Sequence, residues 1–88
     1  MKLSQLQRGQ RAVIKNIDLP EDIKERLSSM GFIKNELIFI CRVGLLRGSF
    51  YIKINCSSCI IINKNEAQNI EVELLGNAHR YRWGKHLG

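Results

Sequence analysis

The sequence is poor in the residues that mark several large function classes. In 88 residues it holds one proline, one tryptophan, two histidines and three cysteines, and aromatic residues make up 7%. Both histidines, His79 and His86, stand near the C-terminal end, no H-E-x-x-H is present, and no serine lies in G-x-S-x-G. Those absences speak against the zinc-peptidase and serine-hydrolase constellations, and no enzymatic activity is expected. The pair Gly84-Lys85 is no phosphate-binding loop, because His86 follows it where serine or threonine is needed. The longest uninterrupted apolar runs are residues 37–41 and 59–62, far short of the about 20 residues that cross a bilayer as a helix. The opening MKLSQLQRGQR has no apolar core of a signal peptide, so neither a leader nor a membrane span is expected. An odd cysteine count without a secretory signal fits a reducing compartment, and a cytoplasmic location is expected. No long repeat and no low-complexity tract is visible.

What is present is the composition of one small globular domain, 44% hydrophobic and 25% charged. A chain of this length has no room for a catalytic cleft between domains. The formal charge is +6, and half of it comes from Arg80, Arg82 and Lys85 in residues 76–88, a segment with no acid. Elsewhere the basic residues are scattered among apolar positions and form no stripe of the kind that tracks a nucleic-acid backbone, so no nucleic acid is expected. The tail also interleaves Tyr81 and Trp83 with its bases, a composition that suits an anionic lipid surface or stacking on a single strand as well as an idle terminus.

Along the chain, Leu3 and Leu6 are spaced to cover one edge of a core from a single helical turn, closed by Gly9. Residues 12–17 read as a strand. Pro20 stands where a helix would start, with Glu21 and Asp22 at the positive end of its dipole. Ile23, Leu27 and Met30 then form an apolar stripe on a helix of about three turns, which Gly31 ends as a left-handed cap. The remainder reads as short strands at residues 36–43, 49–54, 59–62 and 70–74, rich in Ile, Val and Phe. Asn63, three residues before Glu66, is placed to cap one helical turn. Five short strands, one helix over about residues 20–30 and little core volume predict a mainly β fold, a small barrel whose closure removes strand edges.

The series Leu3, Leu6, Gly9, Ile14, Ile17, then RLSSMGF with Arg26, Leu27, Gly31 and Phe32, then Glu66, Ala67, Ile70 and Val72, resembles the FeoA family over about residues 1–73. Its early L-x-x-L-x-x-G, central R-L-x-x-x-G-F and late E-A-x-x-I-x-V stand in order at the family's spacings. The resemblance implies an SH3-like barrel over residues 1–75, with residues 76–88 as a basic aromatic tail outside it. It also implies a small cytoplasmic accessory protein of the bacterial ferrous iron transporter FeoB, held at the inner membrane through that partner. Family members often carry a proline-bounded loop after the second strand, whereas this chain has GLLRG at residues 44–48. Asn63 stands where a basic residue is frequent. Two other readings stay open: an SH3-like domain of the DtxR-type metal-dependent repressors, though no helix-turn-helix segment is present, and a small basic nucleic-acid-binding protein.

With no catalytic set, function is expected from a surface. Leu45, Leu46 and Phe50 are the candidate apolar anchors, with Arg47 and Lys53 supplying charge. The alternative for Leu45 and Leu46 is a plug in the barrel end. Arg26, on the flank of the helix stripe, is placed to reach backbone carbonyls of a neighbouring loop, or else is a solvated helix arginine. Cys56 and Cys59 form a C-x-x-C, expected to bracket a turn at Ser57 and Ser58 with Cβ atoms about 5 Å apart across a hairpin. A metal site there would need two more ligands, for which Cys41, His79 and His86 are the candidates. Plain packing or exposure is expected instead, with no resident metal or other cofactor. Oligomeric state is left open.

Overall fold

The structure, a computed structural model, describes residues 1–54 and 58–77. Five antiparallel strands form one sheet in the order β4-β3-β2-β1-β5, where β1 is Gln10–Ile17, β2 Leu37–Val43, β3 Ser49–Ile54, β4 Ser58–Asn63 and β5 Ile70–Asn77. Alternation of side chains along each strand sends Ala12, Ile14, Ile38, Ile40, Phe50, Ile52, Ile54, Ile60, Ile62, Ile70 and Val72 into a common core, all buried. Bulges between Ile40 and Arg42 in β2 and between Ile14 and Asn16 in β1 bend the strands, so the sheet curls around that core.

The expected closure of the barrel is not observed among the described residues. β4 and β5 are the two ends of the sheet and do not pair. Instead a 3-10 turn, Leu3–Gln5, and the short helix α2, Lys64–Ala67, lie together at the opening, with Leu3, Leu6 and Ala67 buried beneath them. The chain start is laced to β5: the Met1 ammonium donates to Glu71 Oε2 at 2.8 Å and to the Val72 carbonyl at 3.1 Å, and the Val72 amide donates to the Met1 carbonyl at 2.7 Å. Lys2 adds an ion pair to the other Glu71 oxygen at 3.1 Å. The hydrogen bond from the N-terminal ammonium, followed by that from Lys2, holds the Glu71 carboxyl below the usual glutamate range.

Helix α1, Glu21–Ser29, is shorter than three turns. It ends in a Schellman motif: the Phe32 amide donates to the Leu27 carbonyl and the Gly31 amide to that of Ser28, each at 3.0 Å, with Gly31 at φ +92°. The predicted stripe needs correction. Leu27 is buried and Ile23 is packed against the core, but Met30 is 37% exposed at the helix end. The reversal at Gly31 carries the chain back over the helix, so Phe32 fills the place assigned to Met30. Asn63 caps α2 as expected, its Oδ1 accepting from the Glu66 amide at 2.8 Å.

Candidate functional site

The connection between β2 and β3, residues 44–48, is built so that the backbone turns tightly and projects. The Gly44 amide donates to the Ser49 carbonyl at 2.8 Å, and a Cβ on Gly44 would stand 3.3 Å from that of Ser49. Within the turn, the Arg47 amide donates to the Gly44 carbonyl at 2.9 Å and the Gly48 amide to that of Leu45 at 3.1 Å. Leu46 and Arg47 both adopt left-handed backbone, with φ of 57° and 56°. Two successive residues with side chains in that region cost about 1–2 kcal/mol each. Such strain persists only where the surroundings over-determine it.

The surroundings here are explicit. Arg47 Nη2 donates to the carbonyl oxygens of Ser4 at 2.8 Å and Leu6 at 2.7 Å, and the guanidinium lies over the Phe50 ring at 5.6 Å from its centroid. On the far side of the turn the Gly48 carbonyl accepts from the Lys64 amide at 2.9 Å. The turn is thus fastened both to the N-terminal 3-10 turn and to the start of α2. Leu45 and Leu46 are left 89% and 87% exposed, which overturns the alternative that they plug the barrel end.

The other predicted surface residues are placed differently. Phe50 is fully buried and is no exposed anchor; it lies on the inward face of β3 and supports the Arg47 guanidinium from below. Arg47 makes its hydrogen bonds to the protein's own backbone. Lys53 is exposed on the outer face of β3, four residues from Ser49 and so about 13 Å along the strand. Among the described residues Arg26 reaches no loop carbonyl but pairs with Glu66 of α2 at 3.4 Å, tying α1 to the element that covers the sheet opening. No local sequence signal marked the Arg47 clamp, whose acceptors lie more than forty residues earlier.

Of the cysteine and histidine candidates, Cys56, His79 and His86 lie outside the described residues, as does Ser57. Ser58 belongs to β4 and pairs with Ile54, so it is no turn residue, and the residue opposite Cys59 is Lys53, in place of the expected Cys56. Cys41 is the extra residue of the β2 bulge and is half-buried, while Cys59 is exposed on β4. Burial pushes the Cys41 thiol up, the nearby Cys59 adds to this, and Lys53 opposes it. Beside them Arg42 stacks on Tyr51 at 4.7 Å. Elsewhere, an open groove of about 420 Å³ between α1 and β1 is lined by Ile17, Glu21, Lys24, Ser28, Phe32 and Lys34 among others, a mixture of charges around an apolar floor. Among the described residues no group of three or more His, Cys, Asp or Glu side chains converges as a metal site, and no helix is long and apolar enough to cross a membrane.

Comparison with known proteins gives a consistent picture. The family model described as the FeoA domain matches residues 1–74. A candidate Fe(2+) transport protein A of Campylobacter jejuni is 36% identical over 75 residues, which cover 85% of this chain and all of that protein. Among solved structures, the FeoA protein of Chlorobium tepidum superposes with a TM-score of 0.80 at 26% identity, over 86% of this chain and 71% of the other. The FeoA of Stenotrophomonas maltophilia, described as a prokaryotic SH3-domain protein and complexed with zinc, superposes with a TM-score of 0.67 at 26% identity, over 83% and 89% of the two chains. An SH3-like sheet of five antiparallel strands, matched by the family model over most of its length, belongs to the FeoA family of ferrous iron transport accessory proteins.

Proposed function

We propose that this chain acts by docking onto a FeoB-type ferrous iron transporter at the cytoplasmic face of the membrane, and that Leu45 and Leu46 are the anchors. It supports or regulates transport through this contact and performs no catalysis. The observation that carries the reading is the pairing of two almost fully exposed leucines with a strained turn that the Arg47 clamp holds in place. An apolar tip kept rigid before binding loses little conformational entropy on docking, which favours affinity. Full burial of a leucine is worth about 1.5–3 kcal/mol, so the pair supplies up to about 3–6 kcal/mol to an interface.

The test is a pull-down of the transporter from membranes of the native host, with ferrous iron uptake measured in parallel. Leu45→Ser combined with Leu46→Ser is expected to weaken association by about 100-fold or more. It should shift stability by under about 0.5 kcal/mol, as solvent-exposed substitutions do. Retained association and uptake in this variant would refute the docking site. Deletion of residues 78–88 is the companion experiment: if that deletion alone abolishes association, the basic tail and not the leucine tip is the docking element. Salt-sensitive binding to oligonucleotides, with no retention by the transporter, would instead favour the nucleic-acid reading.

A further inference from the structure

β4 stands at one end of the sheet, and its outward edge has no partner among the described residues. The Lys64 amide donates to the Gly48 carbonyl at 2.9 Å, one step beyond the pair Ser49 and Asn63, so the hydrogen-bonded positions of this ladder are Ile62, Ile60 and Ser58. Alternation turns both backbone groups of those residues toward β3 and both groups of Cys59 and Ile61 toward the free edge. The Asn63 amide faces the same way, while its carbonyl, at the helix cap, belongs to α2. The side chains of Cys59 and Ile61 are exposed on the outer face, Ile61 to 62%. Sheet ends are commonly blunted by lysine, proline, a bulge or a covering segment. β5, at the other end, is so protected: its Val72 amide donates to the Met1 carbonyl, Lys2 bridges to Glu71, and Glu71 and Glu73 put charge on the strand. β4, of sequence SCIIIN, has no charge, no proline and no bulge against β3.

We propose that β4 is a self-association edge, to which a second copy of this chain adds its own β4, antiparallel, about a two-fold axis at Ile61. The Ile61 residues of the two copies then exchange amide and carbonyl, and the Asn63 amide of each reaches the Cys59 carbonyl of the other. The outer face favours a second copy over an unrelated strand. Tyr51 of β3 lies opposite Ile61, so the pairing completes an apolar row of Tyr51, Ile61, Ile61 and Tyr51 across both copies, with the isoleucine Cβ atoms about 5 Å apart. Arg42, stacked on Tyr51 at 4.7 Å, closes each end of that row. A two-fold axis sets any charge at its centre against its like, a penalty that an uncharged strand escapes. Lys64 of one copy and Lys53 of the other come within about 10 Å, Cα to Cα, a repulsion of Debye-length range that salt screens. Leu45 and Leu46 take no part in the pairing, which does not rest on the docking reading.

The test is sedimentation equilibrium of the full-length chain in reducing buffer, with amide hydrogen exchange read by NMR at low and high protein concentration. Wild type is expected to dimerise with a Kd of about 10–500 µM, as suits a small interface, and to tighten as salt is raised. The Ile61 amide, open to water in the monomer, is expected to gain protection in step with the dimer fraction, while the Ile60 and Ile62 amides, held by β3, change little. Ile61→Pro removes an edge donor but spares the ladder to β3, and should raise Kd at least about tenfold with an unchanged circular dichroism spectrum. Ile61→Lys keeps the backbone donor and sets two ammonium groups opposite each other; it should weaken the dimer equally, and it carries the test if the proline variant fails to fold. A wild type that stays monomeric up to about 1 mM would overturn the proposal. So would a dimer that survives both substitutions, or one in which the Ile61 amide gains no protection, because the contact would then lie on another surface.

Discussion

Replacing Leu46 by glycine separates what the exposed tip costs the fold from what it contributes to binding. Leu46 sits at φ 57° and ψ 24°, where a Cβ is unfavourable by about 1–2 kcal/mol and glycine is at ease. Glycine also raises the conformational entropy of the unfolded chain, a loss of about 0.5–1 kcal/mol. At 87% exposure the leucine side chain contributes almost no burial to the fold, so its removal leaves no cavity. The net expectation for Leu46→Gly is a stability between unchanged and about 1.5 kcal/mol higher, which for a domain of this size is a rise in Tm of up to about 12 °C. On binding, the same variant forfeits the burial of one leucine, about 1.5–3 kcal/mol, and its affinity for the transporter should fall by about 10- to 150-fold. Scanning calorimetry and a quantitative pull-down on one preparation read both quantities. A fall in Tm of more than about 4 °C would refute the reasoning, because it would mean that Leu46 packs against something or that its backbone is not under strain. A higher Tm with unchanged affinity would remove Leu46 from the interface and leave the strain without a functional account.

Leu27→Ala should destabilise the chain by about 2–5 kcal/mol, because Leu27 is 1% exposed and anchors α1 to the core; denaturant unfolding checks this, and a wild-type midpoint would show the helix packing to be misassigned. For Glu71, the folded-state pKa lies below the ordinary value of 4.5, so its contacts with Met1 and Lys2 stabilise the fold above that value and are lost as pH falls through the depressed pKa. Carbon-detected NMR titration should therefore find the Glu71 midpoint below 4.5, moving back toward the ordinary value in Lys2→Ala, and the Tm difference between wild type and Glu71→Gln should shrink on acidification.

The elements were legible because the signals that specify them are local. Strand alternation in residues such as Phe50, Ile52 and Ile54 repeats every second position, and the amide of Asn63 reaches the Glu66 backbone three residues away. Gly31 ends α1 because the backbone there needs a positive φ, which the sequence announces by its glycine. Met30 was misassigned to the core because helical periodicity extrapolates past the end of the helix, where the Schellman turn redirects the chain and presents Phe32 instead.

By itself, then, the sequence determined a mainly β domain with one short helix, the positions of its strands, the caps, and the family's motifs at Leu3, Leu6, Arg26, Leu27, Gly31, Glu66 and Ala67. Tertiary structure decided which groups meet across long stretches of chain. Whether Phe50 faces the core or the solvent depends on the register of β3 against β2 and β4, and an alternating run is compatible with either face until its neighbours are known. Arg47 became a clamp because the curled sheet brings the hairpin connection beside the carbonyls of Ser4 and Leu6, at separations of 43 and 41 residues. Cys41 is left without a partner in the ladder because a single bulge in β2 shifts the register between Ile40 and Arg42. Local pattern specifies conformation through interactions a few residues apart; contacts between distant residues form only once the sheet has curled around its core, and the Arg47 clamp is of that second kind.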